Sequence, residues 1–154
     1  METVVFFGVL LCCWLMRIVN VSPPSFPEHA PINEPLTPIS NERWQVLCGD
    51  TAHWRVGVYS PSETGLDDVE ELETHDCPEL FVLMEGELTL VLWEDGALRE
   101  LPLSVHHPVL VTMPHNGYCP GGPHTGTALV VERDRFTTRY HRLEELAAAA
   151  KGDR

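Results

Sequence analysis

Glu73, His75 and Glu79 lie together in the run Glu73-Thr-His75-Asp-Cys-Pro-Glu79, and Gly86 follows seven places later. One imidazole and two carboxylates are donors from which divalent-cation sites are built. In an extended strand alternate side chains share a face, so Glu73 and His75 project to the same side. Cys77-Pro78 makes a corner, and Glu79 opens the next run, Glu79 to Met84, sharing a face with Phe81 and Leu83. A carboxylate at the head of an apolar strand is costly to bury without a partner, and a divalent cation shared with His75 would supply one. The metal-free alternative is a hydrogen bond between His75 and Glu79, with Glu73 one more surface acid of the Asp67 to Glu73 run.

Strands must position these groups, and the pattern around them is one of short strands. Arg43 to Cys48 and Trp54 to Ser60 are β-rich, and Ser60-Pro61-Ser62 ends the second. Val69 to His75 alternates loosely and Glu79 to Met84 is continuously apolar. Glu87 to Glu94 alternates again and is followed by Asp95-Gly96, the dipeptide that two-residue hairpin turns prefer. Ala97 to Leu103 is then the returning strand, with Val109 to Met113, Thr127 to Glu132 and Arg135 to His141 beyond it. Many short strands with frequent turns predict an all-β barrel or sandwich. The helical pattern is confined to Leu143 to Ala150, which reads as a terminal cap or tail.

The 154 residues suit one domain, and 44% hydrophobic content is enough for a single core. A formal charge of -13 sets most of the surface against nucleic-acid phosphates and anionic membranes, so no nucleic-acid partner is expected. The five cysteines, Cys12, Cys13, Cys48, Cys77 and Cys119, have no CxxC pair and no regular spacing, which excludes a disulfide framework and fits a reducing cytoplasm.

Four segments follow. Residues 1–21 hold an apolar run, 4–16, shorter than a spanning helix needs. It is either a signal or anchor, which would allow an exported or membrane-anchored protein, or a non-native stretch upstream of a start at Met16. Residues 22–41 are proline-rich and extended, a solvated linker or an arm lying on a neighbouring subunit. Residues 42–142 form the barrel and 143–154 the C-terminal helix and tail.

His75, Glu79 and Gly86 resemble, in register, the second histidine, glutamate and glycine of the first motif of the cupins, His-x-His, three or four residues, Glu, six residues, Gly. Val109 to Pro114 resembles the strand leading into the second motif, Pro-x-Gly-x-x-His, and Thr127 to Glu132 the closing strand. The resemblance covers residues 54 to 132 and implies a double-stranded β-helix, the cupin jelly-roll barrel, as a homodimer. Three positions depart from it, one being Gly117, which sits one place later than the glycine of the second motif. Glu73 stands where the first histidine is expected, and Cys119 is the residue five after Pro114.

Carried over by position, the resemblance makes the metal ligands Glu73, His75, Glu79 and Cys119, and a thiolate among them biases the choice to zinc or iron. His115, in the Pro114-His-Asn-Gly117 turn, and His124, after Gly121-Gly122-Pro123, are candidates to replace Cys119 or to act as catalytic acid and base. Tyr118, beside Cys119, is the candidate for contacting a small-molecule ligand. The family implies isomerases, epimerases, dioxygenases and decarboxylases. The alternative is a metal-free ligand-binding or sensor barrel.

Overall fold

The computed structural model describes residues 17–21, 33–39 and 41–152. The apolar run 4–16 and the prolines within 22–32 lie outside the described residues. The strands are β1 (Arg17–Val21), β2 (Trp44–Asp50), β3 (Trp54–Tyr59), β4 (Glu71–His75), β5 (Glu79–Glu85), β6 (Thr89–Glu94), β7 (Ala97–Pro102), β8 (Val109–Val111), β9 (His115–Tyr118), β10 (Thr127–Arg133) and β11 (Phe136–Arg142). Helix α1 (Leu143–Gly152) closes the chain. A six-stranded sheet in the order β1-β11-β4-β9-β6-β7 faces a five-stranded sheet in the order β2-β3-β10-β5-β8, with every pairing antiparallel. This is the jelly-roll barrel that the resemblance implies, within the barrel or sandwich that the strand pattern predicts.

Period-two alternation builds the interior. Phe81 and Leu83 of β5, Leu90 and Leu92 of β6 and Ala128 and Val130 of β10 meet between the sheets with Tyr59, Leu88, Leu103 and Val111. Burying each larger apolar side chain contributes about 1.5–3 kcal/mol, so this cluster is a main source of stability. A second cluster covers the outside of the six-stranded sheet, where Val69, Leu72 and Val91 are buried under Leu66, Trp93, Leu98, Tyr118, Leu143 and Leu146. Strand β6 is therefore buried on both faces, and α1 is a cap over the outer one.

Two turns fix the registers. Asp95 and Gly96 have φ of 52° and 78°, the paired positive values of a two-residue hairpin, and Glu94 pairs with Ala97 across it. Gly86 has φ of 71°, and a Cβ there would sit 1.9 Å from the Thr125 carbonyl oxygen, so close backbone approach demands glycine.

Two strands differ from the sequence reading. Arg17–Val21, assigned there to the N-terminal apolar segment, pairs with β11 as an edge strand, anchored by Arg17 donating to Glu71 at 2.7 Å and lying 3.7 Å over the Tyr140 ring. His115–Tyr118, assigned to a turn, is a strand between β4 and β6. Among the described residues no helix is long and apolar enough to cross a membrane.

Candidate metal centre

Strand β4 carries Glu73 and His75 inward, and its partner β9 carries His115 inward at the level of Glu73, with which it is in register. Glu79, at the head of β5 in the opposite sheet, reaches across to both imidazoles. Its Oε2 lies 3.2 Å from His75 Nε2 and 2.7 Å from His115 Nε2, and Glu73 Oε2 lies 4.0 Å from His75 Nε2. One donor atom from each of Glu73, His75 and His115 falls within 4.8 Å of the others.

The second ring nitrogens orient these imidazoles. His115 Nδ1 is 2.9 Å from the Met113 carbonyl oxygen, which can only accept, so Nδ1 carries hydrogen and Nε2 is the nitrogen turned toward the other donors. His75 Nδ1 is held at 2.9 Å by Thr138 Oγ1. His115 Nε2 and Glu79 Oε2 are both buried and lie close enough to share a proton or a cation. A buried carboxylate flanked by two imidazole nitrogens is a donor set suited to a divalent cation, which would take the place of the proton.

Burial alone would make His115 a weaker base, but the adjacent Glu79 carboxylate outweighs it and raises the pKa to about 9. Burial likewise disfavours an ionised Glu79, and His115 and His75 overcome it, holding this carboxyl well below the usual range. Without a cation the centre is thus an ion pair.

No family model and no curated protein matches the sequence. Among solved structures, a cupin 2 domain-containing protein from Halorhodospira halophila superposes over 88% of this chain and 88% of its own, with a TM-score of 0.53 and 16% identity. The chain has the cupin fold. Hydroxypropylphosphonic acid epoxidase from S. wedmorenis also matches, over 75% of this chain and 62% of its own, with a TM-score of 0.50 and 16% identity. A structure of FeII HppE matches over 75% and 64%, with a TM-score of 0.50 and 15% identity. The chain spans about half the length of other such structures, 49% for the fosfomycin complex. At these identities the likeness is one of fold.

Within the cupin fold, the structure does not bring together all four of the candidates assigned by position. Cys119 does not join Glu73, His75 and Glu79; it is fully buried, receiving a hydrogen bond from Gly126 N at 3.3 Å and facing Gly126 O at 3.5 Å. Burial also pushes its thiol pKa up, away from thiolate. His115 stands in its place. His124 does not reach the centre either; its Nδ1 is 2.6 Å from the Ser60 carbonyl oxygen, in a turn where its own φ is 58°. Tyr118 points the other way, because it lies three places from His115 on the same strand; it packs in the outer cluster and donates to Glu100.

The cupin barrel also encloses a cavity of about 220 Å³ beside the centre, smaller than drug-sized pockets, lined by Phe81, Phe136, Tyr59, Thr138, Arg55 and Glu132 among others. Arg55 Nε donates to Glu132 Oε1 at 2.7 Å, and both residues are buried. Burial and the neighbouring Glu79 raise the Glu132 pKa to about 8, against the opposing effect of Arg55. The sequence reading missed this pair although alternation carried the signal: Glu132 continues the inward face of Ala128 and Val130, and Arg55 that of Gly57 and Tyr59. Strands β3 and β10 place Arg55 and Glu132 directly opposite.

Proposed function

We propose that this chain is a metal-dependent cupin that holds one divalent cation with Glu73, His75, Glu79 and His115 and acts on a small polar metabolite in the adjoining cavity. The observation that carries this reading is the convergence of Glu73, His75 and His115 within 4.8 Å, with Glu79 Oε2 lying 3.2 and 2.7 Å from the two imidazole Nε2 atoms. Two imidazoles with carboxylates suit ferrous iron and zinc, and the preference that a thiolate would have lent is removed with Cys119. Iron agrees with the FeII form in which the epoxidase of the same fold was crystallised.

A cation held there would act as a Lewis acid, polarising a carbonyl or enediolate oxygen of the metabolite, in isomerase-, epimerase- or dioxygenase-type chemistry. The protein's part is orientation and exclusion. Met113 and Thr138 fix the two imidazoles, while Phe81 and Phe136, meeting the rings of His115 and His75 at 5.5 and 4.8 Å, keep bulk water from that side.

The rival reading is a metal-free sensor barrel in which Glu79 and the histidines form a closed network. Metal analysis separates them: the full chain, stripped with chelator and dialysed against zinc, manganese, nickel or anaerobic iron(II), is expected to retain one ion, and the His115→Ala variant far less. Substoichiometric metal in every case would sink the proposal.

A further inference from the structure

The cavity beside the centre contains two arginines that differ in how much of their bonding capacity the protein consumes. Arg43 donates to Glu63, to Asn116 Oδ1 at 2.5 Å and to Tyr59 OH at 3.3 Å, so both its terminal nitrogens are committed. Arg55 makes one hydrogen bond, from Nε to Glu132. Among the described residues its two terminal nitrogens have no partner, although the residue is only 8% exposed. Its guanidinium is held against the Phe136 ring, 4.8 Å from the centroid, with the Trp44 ring 5.7 Å away, and so cannot swing out to solvent without losing both contacts.

A guanidinium whose fork has no protein partner and lines a cavity is the geometry that receives an oxyanion through two parallel N–H bonds. Its place in the fold relates it to the metal centre. Arg55 on β3, Glu132 on β10 and Glu79 on β5 lie on three successive strands of one sheet, so the strand axes of Arg55 and Glu79 are about 10 Å apart. Both side chains line the same small cavity. A compact molecule can therefore touch Arg55 with one end and the centre with the other.

Building on the reading of the metal centre above, we propose that Arg55 recognises an anionic group on the metabolite, so that the ligand class is a short carboxylic, phosphonic or phosphoric acid with its reactive oxygen at the other end. Glu132 then acts as a positioning residue, occupying Nε so that the two terminal nitrogens, and not the side of the guanidinium, face the ligand.

The test is a calorimetric titration of the full chain, metal-free and zinc-loaded, at constant ionic strength. The probes are lactate, malonate, phosphonoacetate and 2-hydroxyethylphosphonate, with lactamide and malonamide as neutral counterparts. At least one acid is expected to bind more tightly than the amides by about tenfold or more, and Arg55→Gln to abolish that preference. The carboxylate and phosphonate arms tell which acid the fork fits. Because Arg55→Gln strands Glu132, the double variant Arg55→Gln with Glu132→Gln is measured beside it, keeping a neutral pair of similar shape. Equal binding of acids and amides, no binding of any acid, or an undiminished preference in the folded double variant would overturn the proposal. Zinc content of the same samples keeps the two readings apart. Discrimination by a chain that takes no zinc would refute the metal centre and leave Arg55 standing, while a zinc-loaded chain without discrimination would refute Arg55 alone.

Discussion

Metal uptake should expel a proton from His115, with an affinity that climbs steeply with pH. In the metal-free protein the buried imidazole is held protonated by Glu79, with a pKa of about 9. A cation can bind Nε2 only after that proton leaves. Below pH 9 each unit of pH therefore costs about tenfold in apparent affinity, or about a hundredfold between pH 9 and pH 7. For an unperturbed histidine, titrating near 6.5, the same interval would change affinity only slightly. The assay is zinc binding with a competing chelator that buffers the free ion, from pH 6.5 to 8.5, paired with calorimetry at pH 7 in two buffers of different ionisation enthalpy. The expected slope of log affinity against pH is about one, with about one proton released per ion. A flat profile with no proton release would refute both the protonated His115 and its role as ligand.

The same proton affects the metal-free fold. A raised histidine pKa stabilises fully below the ordinary value of 6.5, and that contribution is lost as pH rises through about 9, so the calorimetric melting temperature of stripped protein should fall across this window. Cys119→Ser should leave metal stoichiometry unchanged in elemental analysis, because its thiol faces Gly126; loss of the ion would restore Cys119 as a ligand. Gly86→Ala should cost more than about 2 kcal/mol in urea unfolding, since positive φ and a 1.9 Å contact with backbone act together, and wild-type stability would contradict the turn. Arg55→Met should cost about 1–3 kcal/mol at pH 7, because the Glu132 side chain it leaves unpaired is 2% exposed and, with a pKa of about 8, sheds its charge by taking up a proton, with much of the loss recovered when Glu132 is also made Met; a full, additive loss in the double variant would argue against a coupled pair.

Most of the barrel was legible because its strands alternate. Glu73 and His75 share a face by parity, Glu79 leads Phe81 and Leu83 by the same rule, and the Asp95-Gly96 hairpin has the positive φ pair that its composition demands. The strand that carries His115 was not legible, although His115 itself stood among the candidates. The run His115-Asn-Gly-Tyr118 contains no β-branched residue and lies between Pro114 and the glycines that follow, so its own chemistry reads as a turn. It is extended because β4 and β6 offer it backbone partners on both sides, a tertiary effect that no local pattern contains. Once it is a strand, parity turns His115 inward and Tyr118 outward, and both assignments made by counting from Pro114 to Cys119 move together. Arg55 and Glu132 are the opposite case: their inward parity was present in the sequence, and what was missing was the knowledge that β3 and β10 are neighbours.

Helix α1 has the composition of an appendage, yet Leu143 and Leu146 seal the outer side of the sheet whose inner side bears His115. Leu92, the β6 residue paired with His115, directly follows Val91, which those leucines help to bury. A protease cut after Arg142 would thus strip the backing from the strand that steadies the ligand, without touching any group in the cavity. If His115 holds a cation as proposed, a chain clipped there loses affinity for the ion before it loses its barrel.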